Sequence, residues 1–113
     1  SQALTYSELG QQDMTEQLLR KVIQVAPGYY PAHKNLGLLL ASQNKLNESI
    51  QSLYRAEQLN PSDPSIPYAR ATVHLRMGQK MEAFEACRNC LGIDRNYQQA
   101  LQLLRRIGNP NSP

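Results

Sequence analysis

Two cysteines and two histidines hold most of the reactive side-chain chemistry of this chain. Cys87-Arg88-Asn89-Cys90 is a Cys-x-x-Cys unit, a spacing used by redox couples, haem attachment and half-sites for zinc. Haem attachment needs His directly after the second cysteine, and Leu91 stands there. Redox pairs favour a helix start, where the thiol pKa falls, whereas the apolar spacing here puts the pair inside a helix. His74 lies one helix earlier and would give three metal ligands with the two thiols, but a tetrahedral site lacks its fourth. The pair is therefore expected to fill core as small hydrophobes, with no metal and no cofactor. His33 is expected to be a packing or boundary residue. Asn47-Glu48-Ser49 spells a glycosylation sequon, read as coincidence because Ser49 falls at a helix interface. There is no Gly-rich phosphate loop, and no Ser/His/Asp set or carboxylate pair whose spacing commits to catalysis. The nine acidic residues are scattered, with Glu16, Glu48, Glu57 and Glu82 expected at exposed helix positions. The chain is not expected to be an enzyme.

Bulk properties narrow the partners. At 113 residues and 41% hydrophobic content, one small domain is expected. The net charge of +3 favours acidic partners. No basic run exceeds Arg105-Arg106, so a nucleic-acid partner, which needs basic residues clustered on one face, is not expected. The longest apolar run is Leu38-Leu39-Leu40-Ala41, far short of a membrane span. No signal peptide is visible at Ser1, and the compartment stays open. Two cysteines are too few for a disulfide framework.

The elements that position these residues are helices. Leu18, Leu19, Val22, Ile23 and Ala26, and again Leu46, Ile50, Leu53, Ala56 and Leu59, follow helical spacing, and no useful length alternates at period two. Asp13 with Glu16 reads as a capping box. Pro31 and Pro64 suit first turns. Pro27-Gly28 and Asn60-Pro61 end helices, and Gly10, Asn44 and Gly78 suit left-handed turns. Seven helices are predicted, over about Gln2–Leu9, Met14–Ala26, Pro31–Gln43, Leu46–Asn60, Pro64–Met77, Lys80–Gly92 and Tyr97–Ile107. Short loops make successive helices antiparallel neighbours. The tail over 109–113 is expected to be disordered.

These helices repeat. Pro27 and Pro61 stand 34 positions apart, and so do Gly10 and Asn44, Asn44 and Gly78, Leu19 and Leu53, Leu53 and Cys87, and Ala56 and Cys90. A fixed period of this length means a stacked array. The unit over about 30–63 carries Leu36-Gly37, then Ser49-x3-Leu53, Ala56 and Pro61, with His33 and Leu40 in slots for Trp and Tyr. The unit over about 1–29 carries Tyr6, Gly10, Leu19 and Pro27. The unit over about 64–97 carries Ala71, Gly78, Ala83 and Cys87, with Arg95 in place of the last Pro. On these residues the chain resembles the tetratricopeptide repeat (TPR) family, signature W-x2-L-G-x2-Y, then A-x3-F, A and P. The resemblance covers nearly the whole chain. It implies an all-α, right-handed superhelical array of helix pairs over 1–108 as a single domain, closed by a capping helix over 97–107. Small residues at Gly37, Ala71, Ser49 and Ala83 would let paired helices approach closely, with Tyr6, Leu40, Leu53 and Phe84 filling the space between units. The out-of-frame start at Ser1 suggests a piece of a longer protein.

In the family the first helix of each pair lines a concave face that holds ligands. Carried over residue by residue, that face comprises Lys34, Asn35, Leu38 and Ser42, then Tyr68, Ala69, Thr72 and Arg76, and last Gln99, Gln102 and Arg106. The binding groove is assigned to Lys34, Asn35, Leu38, Tyr68, Thr72, Arg76, Gln102 and Arg106. Cations would meet carboxylates, amides would bond a peptide backbone, and Tyr68 would pack an apolar side chain. One subclass grips the C-terminal carboxylate of heat-shock chaperones. Lys34 and Asn35 fit that clamp, but Leu38, Ser65 and Ala69 occupy places where it needs Asn, Lys and Arg. The expected function is a non-catalytic interaction module for a peptide or partner protein. The alternatives are a docking segment of a larger enzyme and a module that self-associates through an open end near Ser1–Leu9.

Overall fold

The computed structural model describes residues 6–108. Six helices follow in chain order: α1 (Tyr6–Val25), α2 (Tyr30–Ser42), α3 (Leu46–Leu59), α4 (Ser65–Arg76), α5 (Lys80–Ile93) and α6 (Gln98–Ile107). Each packs on its neighbour in sequence, and α2 also touches α4, so α2/α3 and α4/α5 stack as consecutive hairpins.

The two hairpin turns are built alike. Asn44 adopts φ 63° and Gly78 φ 76°. Lys45 N donates to Leu40 O at 2.9 Å and Asn44 N to Ala41 O at 3.0 Å. One period later Gln79 N donates to His74 O at 2.9 Å and Gly78 N to Leu75 O at 3.0 Å. This paired closure satisfies the last carbonyls of a helix through one left-handed residue, a conformation that Gly and Asn tolerate.

Small residues set the helix separation within each hairpin. A Cβ at Gly37 would lie 2.7 Å from Leu53 Cγ and 2.8 Å from its Cδ2. Beside this contact the Ser49 hydroxyl, fully buried, donates to Gly37 O at 2.6 Å. In the α4/α5 hairpin, Ala71 and Ala83 are fully buried. Between hairpins, Ala41, Leu53, Ala56, Ile66, Ala69 and Val73 form one core cluster, and Ala71, Ala86, Cys87 and Leu103 form the next. The buried core is thus split into layers, one per stacking interface.

The first unit departs from the expected turn. α1 runs unbroken through Gly10 and Asp13, so the predicted helix pair Gln2–Leu9 and Met14–Ala26 is one helix over its described part. The capping box at Asp13 is absent, and Glu16 instead pairs with Arg20 at 2.9 Å. Inside this helix a Cβ at Gly10 would meet nothing within 4 Å among the described residues, and the physical reason for continuity lies in the backbone. A continuous ladder costs only about 1 kcal/mol for one interior glycine, whereas a break exposes helix-end donors and acceptors that need caps. The predicted stretch 2–5, the side chain of Tyr6 and the tail over 109–113 lie outside the described residues. Glu16 and Glu57 are also not the exposed acids expected; their side chains are 18% and 17% exposed because each is held by an arginine.

Candidate functional site

The first helices of successive units, α2, α4 and α6, carry the residues assigned to the groove. Tyr68, Thr72, Leu75 and Arg76 sit at i, i+4, i+7 and i+8 on α4 and share one face. Leu103 and Arg106, three apart on α6, share another. These six residues line one pocket of about 370 Å³ between α4 and α6. Leu75 and Leu103 supply apolar wall and Leu103 is buried. The Tyr68 ring lies 5.6 Å from the Tyr97 ring, tilted by 46°. Burial pushes the Tyr97 hydroxyl pKa up. Thr72 Oγ1 donates to Ala69 O at 2.7 Å, so its proton is used by its own helix.

The two arginines of the pocket differ. Arg76 reaches across the hairpin junction and donates from Nη1 to Ala41 O at 2.9 Å and from Nη2 to Asn44 Oδ1 at 3.2 Å. It thereby caps the C-terminal end of α2, where a cation meets the negative end of the helix dipole. Arg106 lies in the last turn of α6. Among the described residues neither guanidinium is paired with a carboxylate.

The other assigned residues lie apart. Lys34 Nζ stands 3.4 Å from Asp63 Oδ2. Asp63 also accepts from Ser65 N at 3.0 Å and Ser65 Oγ at 2.7 Å, holding the start of α4. Burial pushes the Asp63 carboxyl up, but the bonds from Ser65 and the charge of Lys34 outweigh it and hold the pKa below its ordinary value. Asn35, Leu38 and Gln102 are exposed and do not line the pocket. Ala69 is buried in the core and does not face a ligand surface. Leu75 and Leu103 were missed by the sequence reading; their helical spacing to Tyr68 and Arg106 was the available signal.

The reactive residues are turned inward. Cys87 and Cys90 are fully buried free thiols. Burial raises both pKa values, that of Cys90 to about 11. His74 is buried, with Nδ1 2.7 Å from Gln79 Oε1 and Nε2 3.5 Å from an Arg70 nitrogen. No group of three or more metal-ligating side chains occurs among the described residues. His33 Nε2 lies 2.8 Å from Pro27 O and ties α2 to the preceding loop.

With this geometry established, residues 37–78 match the family model described as TPR repeat. No curated protein sequence matches the chain. Among solved structures, the first TPR of Spaghetti (RPAP3) bound to the HSP90 peptide SRMEEVD superposes with a TM-score of 0.82 at 20% identity, over 90% of this chain and 81% of that one. The type III secretion chaperone SycD of Yersinia enterocolitica, in complex with a peptide of the translocator YopD, gives 0.76 at 15% identity over 89% and 77%. A thermophilic TPR protein of Thermus thermophilus gives 0.82 at 24% identity over 93% and 54%, so the chain spans about half its length. The TPR match thus spans residues 37–78, and the described helices share the fold of these helical solenoids.

Proposed function

We propose that this tetratricopeptide-repeat array is a non-catalytic protein-interaction module. It takes an extended segment of a partner along the face of α2, α4 and α6. The observation that carries this reading is the α4/α6 pocket, where the apolar wall of Tyr68, Leu75 and Leu103 stands beside Arg76 and Arg106. Such a site suits an apolar side chain with a carboxylate next to it: the chain buries the side chain, and a guanidinium offers two donors to the acid. Peptides bound to the similar folds of Spaghetti and SycD support the general reading. Lys34, Asn35, Leu38 and Gln102 are proposed as an outer rim that a longer segment would touch, with Thr72 inside the pocket.

Arg106 is the residue to test. Lys34 and Arg76 also hold the hairpins together, so their loss would confuse binding with stability. Selection from a random peptide library on the wild-type chain is expected to enrich an apolar residue beside Asp or Glu. The enriched peptides are expected to lose affinity at least about tenfold on Arg106→Glu, equal to about 1.4 kcal/mol. Enrichment without acidic residues, or equal binding by Arg106→Glu, would overturn the assignment.

A further inference from the structure

The turn after α2 carries a side chain that the turn itself does not need. Asn44 and Gly78 stand one period apart, adopt φ 63° and 76°, and close their helices with the same pair of backbone bonds. Gly78 does this with no side chain. The backbone therefore asks only for a residue that tolerates the left-handed region, and glycine tolerates it at least as well as asparagine. The Asn44 amide is used elsewhere. Its Oδ1 accepts from Arg76 Nη2 at 3.2 Å, while Ala41 O accepts from Arg76 Nη1 at 2.9 Å. Arg76 also lines the α4/α6 pocket, and Asn44 does not. The pair is particular to this junction: one period before Arg76 stands Ser42, whose hydroxyl donates back to Leu39 O at 2.6 Å.

We infer, on the reading of this pocket as a peptide site, that Asn44 is a positioning residue for ligand recognition. With the end of α2 it holds the Arg76 guanidinium at the pocket, ready for a carboxylate of the bound segment. A guanidinium carries five N–H groups. Ala41 O and Asn44 Oδ1 take one each, which leaves Nε–H and one N–H on each Nη for a ligand. Both acceptors are neutral, so they fix the side chain without cancelling its charge. An acidic residue at position 44 would hold Arg76 as well but would compete with the ligand for it. A loose arginine samples many rotamers, and ordering it on binding lowers affinity; one already fixed by the fold avoids most of that loss.

Asn44→Gly is the test, because it removes the amide and keeps a residue suited to φ 63°. The probes are the acidic peptide enriched by selection on the wild-type chain and a twin in which the acid is replaced by its amide. In calorimetric titration Asn44→Gly is expected to bind the acidic peptide about three- to tenfold more weakly and the twin within about twofold of wild type. In an Arg76→Gln background, Asn44→Gly is expected to cost no further affinity for the acidic peptide, since the two residues act as one unit. Unchanged binding of the acidic peptide, equal weakening of both peptides, or a further loss in the Arg76→Gln background would each overturn the role of Asn44. Each would leave the pocket assignment standing if Arg106→Glu still abolishes binding. A selection that enriches no acidic residue would overturn both.

Discussion

Replacing Gly37 with alanine probes the contact on which the α2/α3 hairpin depends. The new Cβ would stand 2.7 Å from Leu53 Cγ, 2.8 Å from its Cδ2 and 3.2 Å from its backbone nitrogen. Leu53 is fully buried among Ala56, Ile66 and Val73, so the side chain cannot swing into solvent, and the backbone contact limits relief by rotation. Overpacking of a filled core costs about 1–3 kcal/mol, and two contacts under 3.0 Å place this site at about 2–3 kcal/mol within that range. Alanine recovers about 1 kcal/mol of helix propensity. The net loss is about 1–2 kcal/mol, a drop in Tm of roughly 4–12 °C for a domain of this size. Urea and thermal unfolding monitored by circular dichroism measure it. Gly10→Ala is the control: it adds a Cβ with no neighbour within 4 Å, inside a helix, and is expected to stabilise by about 0.5–1 kcal/mol. A Gly37→Ala variant as stable as the parent would refute the close-approach argument. A destabilised Gly10→Ala would show that a left-handed turn, and not a continuous α1, governs that position.

Further outcomes follow from burial and pairing. Gly78→Ala, at φ 76°, is expected to lose about 1–2 kcal/mol, read from the same unfolding curves. Native Cys87 and Cys90 are expected to resist thiol reagents and to react only on unfolding. Because burial raises the Cys90 pKa from 9.0 to about 11, the unfolded state loses its proton first as pH climbs. Stability is then full below about pH 9 and falls through about pH 11, and titration of Cys90→Ala should show a smaller fall. Asp63 has the opposite sign: its folded pKa is lowered, so its contribution is present above the ordinary carboxylate range and disappears as acid protonates it, a dependence that Asp63→Asn should weaken. Glu57 and Arg70 pair at 2.9 Å with 17% and 12% exposure, and Arg70 also lies 5.6 Å from the Tyr54 ring. Glu57→Gln is expected to cost about 1–3 kcal/mol, measured by urea unfolding.

The legible part of the site came from the repeat resemblance, which assigns the first helix of each pair to a concave face. Tyr68, Thr72 and Arg76 could be placed on one face from their spacing alone, and Arg106 on the capping helix. Their meeting in one pocket depends on how α6 leans against α4. That angle is set by packing of Ala71, Ala86, Cys87 and Leu103, which no local spacing encodes. Lys34 and Arg76 show the same limit. Both read as open cations, but Asp63 and the end of α2 reach them across a hairpin junction, from 29 and 35 positions away.

By itself, the sequence determined the period, the helices after Pro27, the left-handed turns at Asn44 and Gly78, and the inward place of both thiols. These depend on local backbone preference and on which face of a helix is apolar, and both are written in neighbouring residues. Tertiary structure alone decided the fate of Gly10. The same residue type that turns the chain at Gly78 lies at Gly10 inside α1, where the continuous helix keeps its backbone donors and acceptors bonded. It also decided which charges stay open toward a ligand, because an ion pair across hairpins requires stacking that brings distant residues within reach.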